Sequence, residues 1–86
     1  MYQVIKRDDK VVNFDLAKIR AAIEKAFKAC EKQYSDDTID FLALKVTADF
    51  EPKIKGEKIA VEDIQDSVER VLSQAGYTDV AKAYIL

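Results

Sequence analysis

Four cations, Lys6, Arg7, Lys10 and Lys18, stand close to two apolar pairs, Val4-Ile5 and Val11-Val12, near the start of the chain. Positive charge beside an apolar platform suits a ligand that is apolar at one end and anionic at the other, which is the chemistry of a nucleotide. The same residues also describe an ordinary amphipathic hairpin with solvated lysines, and charge alone does not choose between the two. No catalytic constellation competes. Ser35, Ser67 and Ser73 have no histidine anywhere in the chain to act as a base, and Cys30 has no second thiol. A Walker-type Gly-rich loop ending in Lys-Ser/Thr is absent from the sequence. The carboxylate pairs Asp8-Asp9 and Asp36-Asp37 read as turn formers and caps rather than as an acid and a base.

The elements that must position these cations are a hairpin and a helix. Val4-Ile5 and Val11-Val12 flank a two-residue polar turn at Asp8-Asp9, and Asp15 can cap the helical run that follows. Neighbouring strand residues point to opposite sides, so both faces of the hairpin are apolar. One face is expected to rest on helices, and the upper one to be covered by the ligand. Leu16, Ile19, Ile23, Ala26, Phe27 and Cys30 recur at helical spacing and predict a first helix to about Cys30. Lys18 and Arg20 lie in its early turns, where the macrodipole favours acids, so both look placed for an anion.

A second helix, capped by Ser35, Asp36 or Asp37, is predicted to bury Ile39, Leu42, Ala43, Val46 and Phe50, with Phe41 and Leu44 widening its apolar surface. Pro52 should stop or bend it near Asp49 to Glu51, and Lys53 to Lys58, with Gly56, is expected to be the most mobile internal segment. Lys58-Ile59-Ala60-Val61 can add a third strand. Ile64, Val68, Val71, Leu72 and Ala75 then form an amphipathic stripe ended by Gly76, and Thr78 is expected to cap a fourth helix beginning with Val80, Ala83 and Tyr84. The architecture expected is α+β: a four-helix bundle capped by a small two- or three-stranded β-sheet. Because the fourth helix meets Leu86 without a cap, a piece of a longer protein is expected.

Composition narrows the partners. Eighty-six residues make one domain, with 14 basic and 16 acidic side chains. The slight negative charge argues against general nucleic-acid binding, yet the bases are concentrated early: to Lys32 there are eight bases and five acids, and beyond it six and eleven. A local anion site fits that distribution. One cysteine and no histidine make a disulfide within the chain, a zinc ribbon or another metal site of its own unexpected. No apolar run approaches the roughly 18 residues of a membrane span, and Met-Tyr-Gln-Val-Ile lacks the layout of a secretory signal, so a cytoplasmic location without membrane contact is expected.

Several separated motifs occur in a recognisable order: Val-Ile-Lys-Arg-Asp, Phe-Asp, Lys-Ile before a helical run, Ile-Gln-Asp-Ser-Val-Glu-Arg-Val-Leu and Ala-Lys-Ala-Tyr-Ile. From Val4 to the last residue the chain resembles the ATP-cone domain, a small allosteric nucleotide-binding module. That family is best known at the amino terminus of ribonucleotide reductases and in a zinc-ribbon repressor of their genes. The resemblance implies that Lys6 and Arg7 meet the phosphates and that Lys18 lies near the ribose and phosphates. It further implies that Val4, Phe14, Ile19 and Ile64 line the adenine pocket, that Asp15 accepts from the adenine amino group, and that Gln65 faces the phosphates.

Two departures from the family pattern stand out. Asp9 occupies a glycine position, where a turn with positive φ is mildly strained, and Val61 replaces a hydroxyl that caps the third helix and touches phosphate. The family pattern also leads one to expect a basic cluster just beyond the fourth helix. The resemblance implies ATP or dATP as effector, with or without accompanying Mg. Its implied partners are the catalytic domain of a parent enzyme and a second copy through the cone. The parent expected is an anaerobic ribonucleoside-triphosphate reductase, in which the domain controls the overall activity of deoxyribonucleotide synthesis for DNA replication. The gene repressor is the alternative, disfavoured because its zinc-binding cysteines would precede the cone. A helical interaction module that docks an acidic partner through its basic hairpin remains open as a reading without nucleotide.

Overall fold

The computed structural model describes residues 2–85. Strands β1 (Gln3–Ile5) and β2 (Val11–Asn13) form an antiparallel hairpin, and β3 (Lys58–Ala60) joins β1 on its other side in parallel, giving the order β2-β1-β3. Four helices, α1 (Leu16–Ala29), α2 (Asp36–Phe50), α3 (Val61–Gln74) and α4 (Thr78–Ile85), pack beneath it, with a single 3-10 turn over Glu51–Lys53. This is the α+β architecture expected, with three strands.

Register decides which side of the sheet is which. Val4 pairs with Val12 on one neighbour and with Ile59 on the other, so these three side chains share a face. Val4 and Ile59 belong to the core with Ile23, Phe27, Leu42, Val46, Phe50, Val68 and Leu72. The opposite face carries Ile5, Val11 and Ala60 in one row, and Val11 is 45% exposed.

The hairpin loop differs from the two-residue turn expected. Asp9 N–H donates to Lys6 O at 2.9 Å and Lys6 N–H to Lys10 O at 2.8 Å, so Arg7, Asp8 and Asp9 together form a three-residue loop. Its last residue, Asp9, has φ 66°, the left-handed conformation that this loop type requires at its closing bulge. Asp tolerates that region better than most residues but less well than glycine. Asp9→Gly should therefore raise stability by about 0.5–1 kcal/mol, after the added freedom of the unfolded chain is deducted. A thermal melt should show a rise of about 2–8 °C, and an unchanged or lower midpoint would count against strain at Asp9.

Helix ends follow local chemistry. Asp15 Oδ1 accepts from Ala17 N–H and Ser35 Oγ from Thr38 N–H, capping α1 and α2. At the far end of α1, Lys32 N–H reaches Phe27 O and Glu31 N–H reaches Lys28 O, a Schellman closure with Glu31 at φ 53°. Gly76, at φ 92°, closes α3 in the same way, through Tyr77 N–H to Leu72 O. Thr78 does not cap α4. The helix starts at Thr78 itself, and Tyr77 O takes the cap position by accepting from Ala81 N–H.

Two further expectations are corrected. Phe41 and Leu44 are 59% and 58% exposed, so α2 buries one stripe only, and Lys45 Nζ lies 5.3 Å from the Phe41 ring centre. Arg20 is not poised for an anion, because its Nε is bonded to Asp40 on α2. The Lys55–Lys58 segment is a tight turn closed by Lys55 N–H to Lys58 O and Lys58 N–H to Lys55 O, and Glu57 O holds Gln3 N–H at 2.8 Å. Both central residues, Gly56 and Glu57, have positive φ, which is the type I′ geometry.

Candidate functional site

A cavity of about 260 Å³ lies between the inner face of the sheet and helices α1, α3 and α4. The cavity is thus under the sheet, whereas a ligand space on the upper face was expected, because Val4 and Val12 project toward the helices while Ile5 and Val11 project away. β1 supplies Val4 and β2 Val12, and Lys6 follows immediately after β1. The link from β2 to α1 supplies Phe14 and Asp15. Phe14 is braced by Tyr2 at 4.6 Å and by Phe50 at 5.8 Å between ring centres, so its orientation is set by an aromatic cluster rather than by a ligand.

α1 presents Lys18 and Ile19 to the cavity, on the turn that Asp15 caps. Asp15 uses Oδ1 for the cap at 3.0 Å, leaving Oδ2 for a second partner. α1 has no acid within its first turn, so the capping Asp15 is the acid nearest to Lys18 along the chain. From α3, Ile64 and Gln65 complete the set. Eight of the nine residues singled out in the sequence, Val4, Lys6, Phe14, Asp15, Lys18, Ile19, Ile64 and Gln65, line this one cavity.

Arg7, the ninth, lines an adjoining groove of about 330 Å³ with Lys6, Asp8, Val61 and Gln65. Lys6, Val61 and Gln65 border both spaces, which therefore join. The first is lined largely by apolar side chains. The second has two cations facing the amino-terminal turn of α3. That turn has no side-chain cap, since Ala60 stands at the cap position, and its free N–H groups add partial positive charge. An apolar ring fits the cavity and an anionic tail the groove, which is the division of labour a nucleotide needs.

Val12, named in the sequence only as part of the apolar platform, also lines the cavity, as do Asn13, Ala22, Val68 and Tyr84, which were not singled out as site residues. Val12 is the cross-strand partner of Val4, Ala22 follows Ile19 by three residues, and Val68 follows Ile64 by four. The same-face spacing of strands and helices was the signal available for each. Tyr84 comes from α4, four residues after Val80, and burial pushes its phenol above the ordinary range. A larger groove of about 630 Å³ lies between α1 and α4, but it is lined by Ala22, Ala26 and Ala29, with Lys25 its only charged side chain. It lacks the converging polar groups of the smaller space.

Among the described residues, no group of three or more Cys, Asp or Glu side chains is placed to hold a metal ion. No described helix is long and apolar enough to cross a membrane.

The family model described as the ATP cone domain matches residues 2–86. The chain belongs to the ATP-cone family. Among the relatives of this cone, "Ribonucleoside-diphosphate reductase subunit alpha" of Chlamydia pneumoniae is 42% identical over 90 residues, covering 96% of this chain and 8% of the relative. "Vitamin B12-dependent ribonucleoside-diphosphate reductase" of Thermoplasma acidophilum is 43% identical over 89 residues, covering 98% of the chain and 11% of the relative. The protein of the same name from Mycobacterium tuberculosis (strain H37Rv) is 42% identical over 85 residues, with 98% and 11% covered. The cone spans about a tenth of the length of these relatives. All three are named as diphosphate reductases, whereas the sequence reading preferred a triphosphate enzyme.

Proposed function

We propose that this cone is an allosteric ATP- and dATP-binding domain that regulates a ribonucleotide reductase. The observation that carries the reading is the junction of the apolar cavity with the Lys6–Arg7 groove. Adenine would sit against Val4, Phe14, Ile19 and Ile64, with Asp15 Oδ2 accepting from its amino group. Ribose would lie near Lys18, and the phosphates would meet Lys6, Arg7, Gln65 and the open N–H groups of α3. The names of the relatives favour a diphosphate reductase as parent, and we place that parent in the cytoplasm as part of the same proposal. The domain would perform no chemistry. It would bias the parent's assembly, through its catalytic domain or a second cone, by binding nucleotide with different affinity in the two states.

Thermal melts with ATP, dATP and GTP test this. A ligand that binds only the native state adds about 2.7 kcal/mol at 100-fold excess over its Kd. For a domain of this size that corresponds to a rise of about 10–20 °C. Lys18 and Asp15 offer no rigid acceptor dedicated to the 2′-hydroxyl, so ATP and dATP should bind within about tenfold of each other, or about 1.4 kcal/mol. No stabilisation by either adenine nucleotide would leave the reading of an interaction module that docks an acidic partner through its basic hairpin.

A further inference from the structure

Arg7 is already held. Its Nη2 donates to Gln65 Oε1 at 2.7 Å, and its Nε lies 3.4 Å from Glu62 Oε2. Glu62 and Gln65 are three residues apart in α3 and so share a helix face, from which both reach the same guanidinium. The two holders respond differently to an incoming phosphate. A neutral amide can keep its bond while the remaining donors of the guanidinium fork take a phosphate oxygen. A carboxylate beside the same cation places two anions next to each other.

The pair itself is easily broken, because Arg7 is 71% and Glu62 53% exposed. What persists after it breaks is the negative charge of Glu62 at the mouth of the groove, in a helix turn whose N–H groups are the other anion donors there. That charge repels a ligand in proportion to the ligand's own charge.

We propose that Glu62 is a specificity-determining counter-anion of the groove: it holds Arg7 when the groove is empty and weakens nucleotide binding in step with phosphate number, ATP most and AMP least. This rests on the nucleotide-binding reading above. Asp63 provides an internal control, since it lies in the same helix turn but faces Lys53 at 3.9 Å. An effect acting through net charge or the helix dipole would appear for both acids, and one acting at Arg7 for Glu62 alone.

The test is calorimetry on the 86-residue chain, at low salt, for wild type, Glu62→Gln and Asp63→Asn with ATP, ADP and AMP. Glu62→Gln should tighten ATP by about three- to tenfold, ADP by less and AMP by under about twofold, with the gain shrinking in high salt. Asp63→Asn should leave all three within about twofold. Unchanged or weaker ATP binding by a folded Glu62→Gln overturns the proposal, as does an equal gain in Asp63→Asn. Should circular dichroism show Glu62→Gln unfolded, Glu62→Ala decides by the same criteria. If wild type and variant both fail to bind ATP, the nucleotide reading falls and the role of Glu62 with it. If wild type binds and the variant shows no gain, only the role of Glu62 falls.

Discussion

Ile64→Asp should leave the domain largely unfolded and unable to bind nucleotide. Ile64 is 7% exposed, on the α3 face that packs beneath the sheet, and it is at once a core residue and a wall of the cavity. The substitution removes about 1.5–3 kcal/mol of apolar burial and adds a carboxylate with no partner in place. A total of about 4 kcal/mol or more is comparable to the whole stability expected of a chain this short, about 4–13 kcal/mol. Urea unfolding followed by circular dichroism would read it directly. Ile64→Val, which removes one methylene, should cost only about 0.5–1.5 kcal/mol and keep the fold. Retention of both fold and binding in Ile64→Asp would place Ile64 outside the core.

Helical periodicity made most of this core legible in the sequence. Ile64, Val68, Val71 and Leu72 of the predicted α3 stripe are buried, but Ala75, at the C-cap, is exposed; in α1 Ile19, Ile23, Ala26 and Phe27 are buried, and Leu16 and Cys30 at its ends are only half-buried. What periodicity does not convey is how wide an apolar face must be. Phe41 and Leu44 belong to the apolar types, yet α2 meets its neighbours along one stripe and leaves both outside. Long-range pairing is likewise absent from local pattern. Arg20 looked free until Asp40, twenty residues away, was seen to hold it. The side of the sheet facing the cavity depends on a parallel partner, β3, more than fifty residues from β1 along the chain. That partner places Val4 between Val12 and Ile59 over the helices and turns Ile5 outward. The cavity residues named from the hairpin and first helix were legible because the resemblance assigned them individually. Tyr84, from the last helix, was reached only by packing.

Lys6→Ala and Arg7→Ala should each remove most of the affinity for ATP while leaving the fold intact. Both side chains are exposed, and substitutions away from core and caps change stability by within about 0.5 kcal/mol. A charge-assisted hydrogen bond to phosphate is worth about 1.5–3 kcal/mol, so each variant should weaken ATP by roughly 10- to 150-fold. The two losses should differ in character. Lys6 borders both the cavity and the groove, and its ammonium acts as a point charge at their junction. Arg7 is the first residue of the loop, where Gln65 at 2.7 Å orients the plane of its guanidinium. Arg7→Lys would keep the charge but lose that planar fork, so it should recover only part of the affinity lost in Arg7→Ala. Binding of AMP, which presents far less negative charge, should fall less than binding of ATP in all three variants. Calorimetry on folded variants, verified by unchanged melting midpoints, checks each point. An Arg7→Ala or Lys6→Ala variant that bound ATP like the wild type would mean that the phosphates lie elsewhere.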